Sequence, residues 1–155
     1  MNEYNFKNLT KLYLDIDGVL LTAKQTKIAD FASPFIEFVT NNFECFWLTT
    51  HCKGEVNTTI NYLRKYFDDR TMQQLTKVKP TDWKTLKTDA IDFSSDFFWL
   101  EDNPFQSEIK ILYDNFNFDK LIIIDLNKPT ELQRVQQILM NSQIKKHDSD
   151  RFAKE

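Results

Sequence analysis

Glycine, proline, cysteine and histidine are all scarce in this chain: two, four, two and two among 155 residues. With Gly18 and Gly54 its only glycines, it has no glycine-rich linker, and no internal repeat or second composition regime divides it. It reads as one domain, 1–155, with a core of about 9–142 and a polar C-terminal tail of about 143–155 that is expected to fray. Cys45 and Cys52 cannot build a disulfide framework, and neither Cys-x-x-Cys nor a Cys/His spacing suggests zinc. Cys45 falls in an apolar run and reads as a small core residue; Cys52, beside a polar turn, reads as partly exposed. No apolar run reaches the roughly 18 residues that span a bilayer. The opening MNEYNFKNLTK is polar and mixed in charge, unlike a signal peptide. A reducing cytoplasm, with no membrane partner, is the expectation. Neither sign of charge dominates, at net −3 and a pI near 5.4. That excludes a broadly basic nucleic-acid surface but leaves room for a local patch.

What the chain does have is apolar and aromatic mass. It is 41% hydrophobic and 14% aromatic, with 14 Phe, enough for a packed core and not the profile of a disordered chain. Apolar runs of strand length alternate with segments of helical spacing. KLYLDI (11–16), FECFWLTT (43–50), QQLTKV (73–78), DFFWLED (96–102) and KLIIIDL (120–126) read as strands. Helices are expected over 31–42, 55–67, 82–92, from near Pro104, and over 129–142. Strands apolar on both faces, alternating with helices, imply a mostly parallel five-stranded sheet between helical layers: a three-layer α/β/α, Rossmann-like fold. Such folds bind ligands beyond the carboxyl ends of their strands.

Those strand ends carry the chemistry. The first ends in Asp15 and Asp17, the second in Thr49 and Thr50, the fourth in Glu101 and Asp102, the fifth in Asp125. Both glycines lie just past a site-bearing strand, in DIDG and THCKG, where the backbone must turn or come close to a ligand. In an extended segment the side chains at i and i+2 point the same way. One carboxylate could attack phosphorus while the second protonates the leaving oxygen and then activates water. Attack by an anion on a phosphate dianion calls for a cation that suits hard oxygen ligands, Mg²⁺. A Thr hydroxyl and a Lys ammonium would hold the other phosphate oxygens. Each feature also has a plain structural reading. The two acids could close a strand in a turn, Glu101-Asp102 before Asn103-Pro104 makes a good turn and helix cap, and Asp125 reads better as a cap or turn than as a ligand. His51 is a loop histidine that could touch substrate or simply be solvated.

LYLDIDGVL resembles the first motif of the haloacid dehalogenase (HAD) superfamily, a hydrophobic strand followed by Asp-x-Asp-Gly. FWLTT is similar to its second motif and FFWLED to its fourth, in the family's order, over about residues 11–126. The resemblance implies a Mg²⁺-dependent phosphatase working through an aspartyl phosphate. Asp15 would be nucleophile and metal ligand, and Asp17 general acid/base with its carbonyl on the metal. Thr49 would bind phosphate and Asp102 complete the metal site. Glu101 stands where the family often has Asp, which leaves open which acid of the pair meets the metal. For the phosphate-binding lysine, Lys87 in KTDAI fits best, with Lys84 and Lys79 as alternatives. Neither gap between motifs has room for a folded cap domain, so the resemblance implies an uncapped, open site suited to a macromolecular or end-phosphate substrate. Two lysines of LTAKQTKI (21–28) stand close to it. The alternatives are a catalytically quiet HAD-like domain that binds phosphate or a protein, and, ranked below it, a receiver-type phospho-acceptor domain.

Overall fold

A computed structural model describes residues 9–154; residues 1–8 of the polar N-terminal stretch, and Glu155, lie outside them. In chain order the elements are β1 (Lys11–Leu14), α1 (Ala32–Asn42), β2 (Glu44–Trp47), α2 (Asn57–Leu63), α3 (Asp69–Leu75), β3 (Phe97–Glu101), α4 (Gln106–Asp114), β4 (Leu121–Ile123) and α5 (Glu131–Phe152). Short 3₁₀ turns at Lys87–Ala90 and Phe118–Lys120 precede β3 and β4. The four strands form one sheet, β2-β1-β3-β4, in which every pairing is parallel. No helix of the described residues is long and apolar enough to cross a membrane.

Alternation along the central strands sends neighbouring side chains into two separate cores. Leu12, Leu14 and Leu100 join one cluster with Phe35, Ile36 and Val39 of α1, Leu63 of α2, Met72 and Leu75 of α3, and Leu132, Val135 and Leu139 of α5. Tyr13, Phe97 and Trp99 point the other way, to Ile91 and to Leu112 of α4. Both faces are therefore covered, which a parallel sheet requires.

The sheet has four strands, not the expected five, because 73–78 is not a strand. Asp68 caps α3 by accepting the Thr71 N–H at 2.9 Å, and Met72 and Leu75 are buried three residues apart on one helical face. The spacing is helical, and a period-two reading of QQLTKV mistakes it. What survives of that strand is a single bridge, Phe46 to Lys79. Over 82–92, where a helix is expected, the chain is irregular apart from the Lys87–Ala90 turn; Thr81, Asp82, Thr85 and Thr88 are all weak helix formers. The polar tail holds its helix to Phe152. Gln143 donates to the carbonyl of Asn42 at 3.1 Å and Lys146 to the Thr10 hydroxyl at 3.2 Å, so the tail is tied to the sheet's amino edge. Cys45 is buried as expected; Cys52 is buried too, contrary to expectation, its thiol donating to the Glu55 carbonyl at 3.4 Å.

At that same edge the Lys11 ammonium lies 2.9 Å from Asp92, and the Asp92 N–H donates to the Tyr13 hydroxyl at 3.0 Å. Lys11 first, then the hydroxyls of Ser94 and Ser95, hold the Asp92 carboxyl well below the usual carboxylate range. A depressed folded-state pKa contributes stability above the ordinary carboxylate value, and loses it as pH falls toward the folded-state value. Asp92→Asn should therefore be less stable than wild type at neutral pH, with the gap narrowing below about pH 4; urea melts across the acid range check it. In the main core, Phe35 is fully buried, and Phe35→Ala should cost about 3–5 kcal/mol. Lys110→Ala, which removes only the exposed pair with Asp114 on α4, should cost under about 1 kcal/mol in the same melts.

Candidate active site

Three strands end at one edge, and their side chains meet there. After Leu14 the chain continues as Asp15, Ile16 and Asp17. Ile16 is fully buried and Asp15 nearly so, while Asp17 stands half-exposed. The backbone then closes a tight turn in which the N–H groups of Val19, Leu20 and Leu21 all approach the carbonyl of Ile16 and the Gly18 N–H donates to the Leu21 carbonyl at 2.7 Å. Gly18 takes φ 80°, and a side chain on it would collide with the Asp102 carboxylate. That close approach, together with the left-handed backbone, is what demands glycine here.

Asp15 is fixed through both oxygens. Oδ1 accepts the Ile16 N–H at 2.7 Å, and Oδ2 accepts from Lys87 Nζ at 2.9 Å. The same ammonium donates to Glu101 Oε2 at 2.6 Å, while Glu101 Oε1 accepts the N–H groups of Asp102 and Asn103, both at 3.2 Å. Glu101 is thus engaged on both oxygens by the protein, whereas the Asp102 carboxylate packs against Gly18. Burial, then the charge of Asp15, push the Glu101 carboxyl up to about 9 against the pull of Lys87. Burial also opposes the charge on Lys87, but Asp15 and Glu101 together outweigh it and raise its pKa. One lysine thus serves an edge with more acid than it can neutralise. Asp15, Glu101 and Asp102 bring carboxylate oxygens within 4.8 Å of one another, an arrangement able to hold a metal ion.

Lys87 reaches the acids because its turn is anchored. Its N–H donates to Glu108 Oε2 at 2.7 Å, and Glu108 Oε1 accepts the Phe105 N–H at 2.9 Å. Glu108 is buried, so a single carboxylate caps α4 and holds the Lys87 turn to it. The other candidate lysines are elsewhere: Lys79 pairs with Glu44 at the amino end of β2, and Lys84 is exposed. Thr49 is buried just past β2, with its hydroxyl accepting the His51 N–H at 3.3 Å. Asp125 closes a turn by accepting the Asn127 N–H at 3.1 Å, the role expected of it.

Asp17 stands apart from the Lys87 cluster. Its Oδ2 lies 2.8 Å from His51 Nε2 and its Oδ1 3.5 Å from the Tyr62 hydroxyl. His51 and Tyr62 stack, with ring centroids 4.2 Å apart and planes 11° from parallel. Burial, then the charge of Asp17, push the Tyr62 hydroxyl up to about 12, so it remains a donor. On the opposite side, a cleft of about 640 Å³ opens from Gly18 and Asp102 toward Lys24, Lys27 and Asn127. Sequence reading missed Glu108 and Tyr62. Glu108 had a signal, an acid three residues into a helix start; Tyr62 had none, since only the fold sets α2 beside Asp17.

No family model matches the chain, and neither curated proteins nor solved structures yield a match.

Gly18→Ala tests the crowding at this edge against an internal control. Gly54 has the same φ of 80° but only ordinary contact with Asp82, at 3.5 Å. Gly54→Ala should lose about 1–2 kcal/mol from backbone strain alone. Gly18→Ala should lose clearly more, because Asp102 must also move; equal losses in urea melts would show that the close approach does not matter.

Proposed function

We propose that this chain is a Mg²⁺-dependent phosphomonoesterase of the HAD-like, uncapped type, which hydrolyses its substrate through an aspartyl phosphate. The observation that carries the reading is the Lys87 ammonium 2.9 Å from Asp15, across 72 residues of sequence. A nucleophilic carboxylate, a phosphate-binding cation and further hard-oxygen donors thereby share one strand edge. Asp15 and Asp102, with the carbonyl of Asp17, would hold Mg²⁺. Bound there, the ion would offset the repulsion between the attacking carboxylate and the phosphate. Glu101, engaged by Lys87 and two backbone N–H groups, serves to hold the lysine and leaves the metal to Asp102.

In this reading an Asp15 oxygen forms a bond to phosphorus as the bond from phosphorus to the ester oxygen breaks. The Asp17 carboxyl gives its proton to the departing oxygen. Water then attacks the phosphorus of the aspartyl phosphate, Asp17 takes the water's proton, and the Asp15–phosphorus bond breaks to release phosphate. Thr49 and Lys87 hold the non-bridging oxygens. Among the described residues, α1 and loops fill the path from β1 to β2, and α2, α3 and a turn fill that from β2 to β3. Nothing there forms a cap, and an open cleft suits a macromolecule or an end phosphate. Two free, buried thiols suit a reducing cytoplasm.

Hydrolysis of 4-nitrophenyl phosphate with Mg²⁺ and with EDTA tests the reading. Wild type should turn over only with Mg²⁺, and Asp15→Asn should be inactive. Asp17→Asn should lower kcat by about 10²–10⁴-fold, through loss of the base that activates water against the aspartyl phosphate. Turnover that survives EDTA or Asp15→Asn would overturn the mechanism. No turnover on any phosphate ester would favour a quiet binding domain.

A further inference from the structure

Asp17 differs from Asp15 in how it is held. Asp15 is nearly enclosed, whereas the Asp17 side chain is 45% exposed and sits at the mouth of a turn. A side chain so exposed samples several rotamers unless something fixes it. His51 supplies that constraint and is itself held by a ring stack and two backbone hydrogen bonds. Tyr62 stacks on its ring, its N–H donates to the Thr49 hydroxyl, and its carbonyl accepts the Thr59 hydroxyl at 2.7 Å. Tyr62 in turn packs edge-on against Tyr66, at 5.5 Å between centroids. The resulting chain runs from α2 through two stacked rings to one carboxyl oxygen of Asp17.

We propose that His51, braced by Tyr62, is a positioning residue that fixes the Asp17 carboxyl for proton transfer to the leaving group. The inference rests on the phosphatase reading and adds to it a part that neither the motifs nor the metal site requires. With Nε2 2.8 Å from Oδ2 and the Tyr62 hydroxyl only at 3.5 Å from Oδ1, Oδ1 is the less tightly held oxygen, through which Asp17 serves the leaving group and then water. His51 makes no bond to phosphorus and takes no net proton in the cycle. Its contribution is geometric: a proton donor held in place needs no reorganisation as the ester bond breaks. It also joins the loop after β2, which carries Thr49, to the turn after β1, so the phosphate-binding and proton-donating groups move together.

Leaving-group dependence isolates this role, because kcat/KM reports the steps through phosphoryl transfer to Asp15. 4-Nitrophenolate departs as a weakly basic anion and needs little help from an acid, whereas phenol and simple alcohols need the proton. His51→Ala should leave kcat/KM for 4-nitrophenyl phosphate within about 3-fold of wild type and lower it for an alkyl phosphate by about 10²-fold. His51→Gln, whose amide can still reach Asp17, should recover part of the alkyl activity, and Tyr62→Phe, which keeps the stack but loses the hydroxyl's contact with Asp17 Oδ1, should lower alkyl activity less than His51→Ala does. A uniform fall on every ester, with no recovery in His51→Gln, would overturn the positioning role and leave the phosphatase reading intact. So would unchanged activity in His51→Ala. A wild type inert on every ester, with Mg²⁺ present, would overturn both.

Discussion

Lys87 places one positive charge between two buried acids, and the organisation of the acidic strand edge follows from that. Asp15 and Glu101 end adjacent parallel strands, so the topology forces two acids together, and Glu101 responds with a raised pKa. Left alone, two desolvated carboxylates at that separation repel strongly. The ammonium makes their proximity tolerable, and it is delivered by backbone rather than by chance: Glu108 holds the N–H of Lys87 and the start of α4 at once. A residue on the helix after β3 thus sets where the cation stands. The remaining acid, Asp102, is confined by its contact with Gly18 and has no lysine or arginine partner among the described residues, so in the proposed reading it is the acid left for a metal ion.

Much of this was legible in the sequence, and for definite reasons. A strand that stops being apolar at Asp15 announces a site because burying carboxylates is costly unless they are used or paired. The long periodic face of α5, with Leu132, Val135 and Leu139 buried, fixes that helix unambiguously. The segment 73–78 departs from the expected strand because its apolar residues, Leu75 and Val78, stand at a helical spacing of three, and the Asp68 cap starts a helix just upstream. The polar tail stays helical through single long-range bonds from Gln143 and Lys146, which no local pattern reveals.

The pairing of His51 with Asp17 was the least legible feature. A lone histidine in a loop carries no periodic signal, and its partner lies in the turn after a different strand. Only the β2-β1 adjacency brings them within hydrogen-bond reach, and only α2 adds the stacked tyrosine. Groups that complete a site from neighbouring strands are set by sheet order, which sequence specifies less sharply than strand identity.

The central claim is that Asp15 takes the phosphoryl group, and the direct measurement is to trap it. Wild-type protein mixed with substrate and Mg²⁺ is quenched in acid during turnover, digested and mapped by mass spectrometry. A phosphoryl group on the peptide carrying Asp15, labile to hydroxylamine and absent from Asp15→Asn, is the predicted result. A phosphoryl group on Thr49 or His51 instead, or steady turnover with no phosphorylated peptide under any quench, would contradict it.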